Sequence, residues 1–192
     1  MRKIKSYWKK IASNVIWQKY PKKILKWQKN RYFWFPDGRI NIAENCLLNS
    51  KNKEKRKNAI VFIDKNKNIS KLNYFDLANK VNHFSNYLRL ITKNKTIKNV
   101  VIHSSANKIS AISMLSLSKL GIHFSVIFDD LPNNAIYERL KLINPDVIIT
   151  KNISKIKFFK KYINKNKSLK KILICSGKKI NQQSIFYYNF DK

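Results

Sequence analysis

The hydrophobic pattern between residues 99 and 150 alternates short runs of β-branched and aromatic residues with longer amphipathic segments. The pattern predicts strands at 100–103, 124–128 and 147–150, and helices at 106–120 and 135–143. Parallel neighbouring strands need a helical crossover between them, so this alternation indicates βαβ units. The fold class predicted is α/β: a partial doubly wound, mainly parallel sheet with flanking helices.

Further elements are predicted on both sides of this core. Before it, apolar strands at 59–63 and 69–74 enclose a polar turn and predict a hairpin, and apolar residues at helical spacing predict a helix over 77–91. After it, the pattern predicts a helix over 153–163 and a strand at 172–175. The tail from Lys178 shows no clear periodicity, although its aromatic residues at 186–188 could pack on the core.

A helical N-terminal extension precedes the sheet. Apolar residues at helical spacing predict an amphipathic helix over 4–20, which Pro21 interrupts, and a second apolar face begins at Ile24. An aromatic run at 31–39 ends in a Pro-Asp-Gly turn; such clusters typically fill a core or a domain seam, whereas base stacking requires exposed rings. The predicted organisation is an N-terminal extension at 1–48, a charged linker at 49–58 and a partial α/β unit at 59–192.

The chain is strongly basic, with 41 Lys and Arg against 10 Asp and Glu and a formal net charge of +31. This excess is compatible with nucleic acid or an anionic membrane as partner, and equally with a general composition bias, because the lysines are spread along the chain. Non-specific binding to polyanions is expected in either case. The first 36 residues contain no acidic residue, as in transit peptides and membrane-surface helices, but no apolar signal core follows, so we expect a cytoplasmic protein.

Glycine and cysteine content narrows the possible chemistry. Phosphate-cradling loops need several glycines, and the three here, Gly38, Gly121 and Gly177, lie far apart. Neither of the two common glycine-rich nucleotide-binding motifs can be written with these positions. Cys46 and Cys175 are interpreted as buried thiols in a reducing cytoplasm.

No catalytic or metal-binding residue is predicted from the remaining polar positions. The three histidines lack metal-type spacing: His83 is expected to be solvated and His123 to be structural. The pair Ser104 and Ser105 follows a strand, where ligands often bind in α/β folds, but no nucleophile elbow surrounds it. The pair Asp129 and Asp130 could bind a cation or, more economically, cap the helix that follows Pro132.

Several motifs occur together in one order and spacing. They are Trp-Phe-Pro-Asp-Gly-Arg-Ile-Asn at 34–41, Ala-Glu-Asn-Cys-Leu at 43–47, Asn-Tyr-Phe-Asp-Leu at 73–77, Leu-Gly-Ile-His-Phe-Ser-Val-Ile-Phe at 120–128 and Pro-Asp-Val-Ile-Ile-Thr at 145–150. In this order the sequence resembles the N-terminal region of short-chain acyl-CoA synthetases of the acetyl, propionyl and acetoacetyl types. These enzymes belong to the adenylate-forming superfamily.

The resemblance implies a parent enzyme that activates a carboxylate with ATP and Mg and passes the acyl group to CoA. It places Phe128, Asp129 and Asp130 on the CoA-tunnel side, where the acetyl type has a Gly-Gly pair, so two carboxylates are expected to hinder CoA binding. The phosphate loop, the adenylate-binding motif and the C-terminal lysine of the family come later than residue 192. We therefore expect no independent catalysis and no cofactor bound by this chain alone.

Several functions stay open at this stage. The chain could be one piece of a split synthetase completed by a downstream chain, or a remnant. The alternatives are a basic module that binds RNA or anionic lipid, and a regulatory remnant that docks on a full-length homologue. Because the sheet is expected to be incomplete, an exposed apolar edge and self-association are also predicted.

Overall fold

The structure is a computed structural model that describes residues 2–48, 56–64, 66–92, 97–165, 171–174 and 185–188. Residues 49–55 of the predicted linker lie outside the described residues, as do Cys175 and Gly177. In the part of the chain that is described, no helix is long and apolar enough to cross a membrane.

The first 40 residues of the N-terminal extension contain one helix and four short strands. They are α1 (Arg2–Ala12), β1 (Trp17–Lys19), β2 (Leu25–Gln28), β3 (Arg31–Trp34) and β4 (Arg39–Ile40). The helix predicted over 4–20 is therefore wrong beyond Ala12. The indole N–H of Trp17 donates a hydrogen bond of 2.8 Å to the Ala12 carbonyl, which satisfies an acceptor at the helix end. Trp17 itself pairs with Ile40 in the antiparallel β1–β4 ladder, so the chain leaves the helix to form a strand.

The apolar face that begins at Ile24 belongs to a tight hairpin, not to a helix. Strands β2 and β3 pair antiparallel, with Trp27 opposite Tyr32. Lys29 and Asn30 make the two-residue turn with φ of 50° and 56°, the positive angles that match the right-handed twist of a hairpin. The alternation of apolar and polar residues in this segment thus has the period of a strand.

The aromatic run divides into an inner and an outer set. Phe35 is half-buried and lies 5.3 Å from Trp17 and 6.5 Å from Trp8 between ring centroids, so these three rings fill a seam as predicted. The other aromatic residues of the run, Tyr32, Phe33 and Trp34, are exposed, as is Trp27 of the preceding strand. Their outward position means that the core-filling interpretation holds only for the inner set.

Helix α2 (Ile42–Leu48) is the last element of the extension, and Asn41 and Asn45 hold it to neighbouring segments of the chain. The side chain of Asn45 accepts a hydrogen bond from the Ile16 amide at 2.8 Å and donates one to the Ile16 carbonyl at 2.9 Å. Asn41 donates to the Lys119 carbonyl at 3.0 Å. Cys46, on the same helix, is exposed, so the prediction of a buried thiol is wrong for this residue.

A hairpin and a long helix follow, as predicted. Strands β5 (Asn58–Ile63) and β6 (Ile69–Asn73) pair antiparallel, and α3 (Tyr74–Thr92) begins directly after β6. The buried face of α3 carries Leu77, Val81, Phe84, Leu88 and Ile91. These are the residues whose spacing predicted the helix, and His83 is exposed as expected.

The remaining elements build a five-stranded parallel sheet. In chain order they are β7 (Asn99–His103), α4 (Lys108–Leu120), β8 (His123–Ile127), α5 (Asn133–Ile143), β9 (Val147–Thr150), a 3₁₀ turn (Ile153–Lys155), α6 (Ile156–Lys165), β10 (Lys171–Ile174) and β11 (Ile185–Tyr187). The strand order is β11-β10-β9-β7-β8. This arrangement confirms the predicted doubly wound sheet and adds β11, which the irregular tail did not reveal.

The two faces of the sheet bury two separate cores. Val100, Ile102 and Ile149 contribute to a core with α2, α3 and α4. The alternate positions Val101 and Ile148 contribute to a second core with α5 and α6. Because successive side chains of a strand point to opposite faces, both sides of these strands must be apolar, which explains their uninterrupted hydrophobic runs.

We expect Asn45→Ala to lower the free energy of unfolding by about 1–3 kcal/mol, because the amide and carbonyl of Ile16 would lose their partner in a part-buried site. Urea denaturation measures the change. Asn86→Ala on the exposed side of α3 is the matched control and should shift stability by about 0.5 kcal/mol or less. Equal effects of the two substitutions would contradict the role given to Asn45.

Candidate functional site

The candidate site lies where the direction of winding changes. The chain passes from β7 outward to β8 and then returns across β7 to β9, so β7 has β8 on one side and β9 on the other. In open α/β sheets, ligands bind outside the carboxyl ends of the strands at such a switch point. His103 and Thr150 are the last residues of β7 and β9, and they are partners in the register.

His103 and Thr150 are both fully buried and contact each other at this point. His103 Nδ1 lies 3.0 Å from Thr150 Oγ1, and the Asn152 amide donates to the same oxygen at 3.0 Å. The Thr150 hydroxyl has one hydrogen to donate and two lone pairs that accept, so it bonds His103 Nδ1 as donor or as acceptor according to the imidazole tautomer.

Burial governs the protonation of His103. Loss of solvation lowers the pKa of His103; the negative charge of Asp129 opposes that shift, and the positive charge of Lys155 adds to it. The Nε2 atom has no hydrogen-bond partner among the described residues, and the Phe159 ring stands edge-on with its centroid 5.0 Å from that of the imidazole. The site therefore disfavours the charged form of the imidazole, and the described protein groups leave its Nε2 atom without a hydrogen bond.

Hydrogen bonds among its own residues hold the loop between β7 and α4 in place. Asn107 is the N-cap of α4, and its side-chain oxygen accepts from the amides of Ile109 and Ser110. The amide group of Asn107 donates to the hydroxyls of Ser104 and Ser105 at 2.8 and 3.2 Å. In phosphate-binding loops these first helical amides point at the ligand. Here Asn107 already engages two of them.

The three residues predicted on the cofactor side follow β8 at the same edge of the sheet. Phe128 is 55% exposed, Asp129 is half-buried and Asp130 is exposed. His103 pairs with Ile127 at the end of β8, so the loop after β8 lies beside the end of β7. The negative charge of Asp129 there opposes the lowering of the His103 pKa. Neither carboxylate makes a hydrogen bond within the described part of the chain.

The interpretation of Asp129 and Asp130 as helix caps is wrong. The N-cap of α5 is Pro132, which makes no side-chain cap hydrogen bond. The chain turns between Phe128 and Leu131, whose amide donates to the Phe128 carbonyl at 3.4 Å, so both aspartates precede the capping position. Neither carboxylate therefore caps α5.

Other polar candidates lie elsewhere. His123 begins β8, at the opposite end of the strand from Asp129, and is exposed. Within the described ranges, no three His, Cys, Asp or Glu residues lie close enough together to hold a metal ion. A cleft of about 230 Å³ is lined by Tyr137, Phe158, Lys161 and Tyr162 on the α5–α6 side and does not include the three residues after β8.

The contact between His103 and Thr150 was not predicted from the sequence. Both residues follow apolar runs, and each run was correctly predicted as a strand. Their proximity depends on the strand order, because β7 and β9 are neighbours only if β8 lies on the far side of β7. The available signal was a polar residue at the end of each buried strand.

Comparison with known proteins supports the resemblance that the ordered motifs indicated. The sequence model of a protein family described as the acetyl-coenzyme A synthetase N-terminus matches residues 1–46. The acetyl-coenzyme A synthetase of Leptospira biflexa is 31% identical over 156 residues, which cover 78% of this chain and 23% of that protein. The acetyl-coenzyme A synthetase of Cupriavidus necator is 31% identical over 153 residues, with the same two coverages. The chain thus spans about a quarter of the length of these relatives.

A solved structure shows the same fold. The acetoacetyl-CoA synthetase from Streptomyces lividans superposes with a TM-score of 0.80 and 13% sequence identity, over 97% of this chain and 30% of that one. The match includes the N-terminal extension as well as the sheet, because so little of the chain is left out. At this identity the likeness concerns the fold alone.

The lowered pKa of His103 gives a pH prediction. The imidazole of the unfolded chain binds a proton below pH about 6.5, whereas the folded site resists protonation, so the stability from this group is present above that pH and is lost as pH falls through the lower, folded pKa. We expect the free energy of unfolding to rise between pH 5 and 7, with a slope of at most about 1.4 kcal/mol per pH unit from this residue.

Urea denaturation across this range measures the slope. His103→Gln should flatten it, and His83→Gln, at an exposed position of α3, should leave it unchanged. If the wild-type protein and His103→Gln had the same slope, the role assigned to the buried imidazole would be wrong.

Proposed function

Because this chain corresponds to the N-terminal part of acyl-CoA synthetases, we propose that it supplies that part of an AMP-forming, short-chain acyl-CoA synthetase of the cytoplasm. The parent reaction converts a carboxylate, ATP and CoA to acyl-CoA, AMP and pyrophosphate. The observation that carries the proposal is the combination of 31% identity over 156 residues with a shared fold over 97% of the chain.

We propose further that these 192 residues do not catalyse this reaction alone. The three isolated glycines provide no phosphate loop, and the N-terminus of α4 is already capped by Asn107. ATP and Mg would be bound by residues that correspond to the remaining three quarters of the relatives. The role of this chain is then structural: it provides one side of the enzyme, and it completes the enzyme when it associates with the remaining part.

The side that this chain provides is the sheet edge after β8. Phe128 offers an exposed ring, and Asp129 and Asp130 offer carboxylates, at the place where the resemblance puts the CoA side. CoA carries phosphates, so two carboxylates would repel it, and their side chains would occupy space. In this proposal the loop from Phe128 to Asp130 lowers the affinity for CoA and leaves the ATP-dependent activation of the carboxylate unaffected.

The exposed apolar surface fits a partner that completes the enzyme. Val61, Ile63 and Ile69 lie on the side of the β5–β6 hairpin away from the core and are 50%, 68% and 62% exposed. Ile63 and Ile69 are cross-strand partners, so they form one continuous patch. Patches of this kind mark sites of protein association.

Complementation tests the proposed function. The chain is co-expressed with the part of the Leptospira biflexa relative that follows its matched region, and ATP–pyrophosphate exchange is measured with acetate, propionate and acetoacetate. We expect no exchange from either polypeptide alone and exchange from the pair. The full-length relative serves as the positive control. Exchange catalysed by the purified chain alone would contradict the proposal that it is inactive.

The loop after β8 makes a second prediction in the active pair. Asp129→Gly with Asp130→Gly should lower the KM for CoA by about tenfold or more and leave ATP–pyrophosphate exchange unchanged, since exchange needs no CoA. The Asn pair at the same positions removes the charge but keeps the volume, and so separates repulsion from steric hindrance. Glu138→Gln on the exposed side of α5 is the distant charge control. Unchanged CoA kinetics in both double variants would remove this loop from the CoA site.

A further inference from the structure

We propose that the N-terminal extension binds the surface of an anionic lipid bilayer through one face, made by α1 and the β2–β3 hairpin. The outer residues of this N-terminal face are Ile4, Tyr7, Ile11, Trp27, Tyr32 and Trp34. The inference goes beyond the proposed enzymatic role and does not depend on it. It rests on the exposure of these apolar side chains, their continuity and the charge around them.

Helix α1 has more apolar surface than the protein covers. At 100° per residue its apolar residues form one stripe that runs from Ala12 through Trp8 to Ile4, Ile11 and Tyr7. The inner part of the stripe packs on the protein: Ala12 is buried, and Trp8 contacts Trp34 and Phe35. The outer part is open to solvent, with Ile4 53%, Tyr7 59% and Ile11 37% exposed.

The hairpin adjoins this stripe at Trp8. The ring centroids of Trp8 and Trp34 are 4.9 Å apart, so the helix and the hairpin meet at these two side chains. Along the same side of the hairpin, Trp27 packs against its cross-strand partner Tyr32 at 4.5 Å. Trp27, Tyr32 and Trp34 are 56%, 61% and 43% exposed. Trp8 covers part of this hairpin face, and the large apolar surface that stays exposed indicates a binding site.

The positive charge around this face favours an anionic partner. The first 36 residues contain 11 Lys and Arg and no acidic residue. Lys5, Lys9 and Lys10 are exposed on α1 and lie outside the apolar stripe. A helix with a basic polar side and an apolar side with Trp and Ile lies in the plane of a membrane interface, and Trp and Tyr are the residues enriched there.

A lipid surface fits these observations better than a second copy of the chain or a single-stranded nucleic acid. A second copy of the chain would bring the same positive charges against this face. A single-stranded nucleic acid needs open ring faces, but Trp27 with Tyr32 and Trp8 with Trp34 are tilted pairs at 54° and 50° that partly cover one another. The exposed aliphatic side chains of Ile4 and Ile11 offer nothing to a base and can insert among acyl chains.

Vesicle binding by the full 192-residue chain tests the proposal. Vesicles of phosphatidylglycerol mixed with phosphatidylcholine are compared with vesicles of phosphatidylcholine alone, by flotation and by tryptophan emission. We expect saturable binding to the anionic vesicles, a blue shift of the emission and quenching by brominated acyl chains. These wild-type readouts do not depend on any variant that might fail to fold.

Matched variants then separate this face from the overall charge. The triple variant Lys5→Glu, Lys9→Glu and Lys10→Glu should lower the vesicle partition coefficient at least about tenfold. The control Lys71→Glu, Lys98→Glu and Lys157→Glu makes the same change in net charge at exposed positions outside the extension and should lower it far less. Ile4→Ser with Ile11→Ser should reduce binding and the blue shift, whereas Leu90→Ser with Leu142→Ser, at sites 73% and 87% exposed, should not.

The remaining outcomes overturn the proposal. Equal losses in the two charge-reversal variants would assign the binding to the net charge of the whole chain. Binding to anionic vesicles without a blue shift or quenching would exclude insertion of the aromatic residues. If a single-stranded RNA probe bound with the same variant dependence while the vesicles did not bind, the face would be a nucleic-acid surface instead.

Discussion

The pairing of β7 with β9 determines the arrangement of the sheet. Because β8 and β9 follow each other in the chain yet lie on opposite sides of β7, the connections on either side of β8 cover opposite faces. Helix α4 joins the core with α2 and α3, and α5 joins the core with α6. The same pairing brings the ends of β7 and β9 together, and so creates the buried contact of His103 with Thr150.

Short polar side chains hold this arrangement at its ends. At the amino edge of the sheet, Asp146 accepts hydrogen bonds from the amides of Lys98 and Asn99, which fixes the start of β7 beside β9. At the carboxyl edge, Thr150 accepts from Asn152 and contacts His103. Asn41 and Asn45 perform the corresponding role for the N-terminal extension. The motifs shared with acyl-CoA synthetases therefore include residues whose observed contacts are architectural.

The sequence predicted the sheet well and the extension less well, for a physical reason. Strands such as 147–150 are buried on both faces, so their apolar runs are unambiguous, and the helices between them show one apolar side. In the extension, Val15 continues the helical spacing of Ile4, Trp8 and Ile11. The helix nevertheless ends at Ala12, whose carbonyl accepts a hydrogen bond from the Trp17 indole. Periodicity cannot show a contact of this kind. The same limit applies to Asp129 and Asp130, whose position relative to Pro132 depended on where the turn closed.

The positions of the tryptophans allow two parts of the molecule to be followed by different spectroscopic signals. All four tryptophans, Trp8, Trp17, Trp27 and Trp34, lie within it, and the parallel sheet has none. Their emission therefore follows the environment of the first 40 residues, whereas far-ultraviolet circular dichroism is dominated by α3, α4 and the other longer helices. Wherever the two signals diverge during unfolding, they resolve the extension and the sheet as separate cooperative units of one chain.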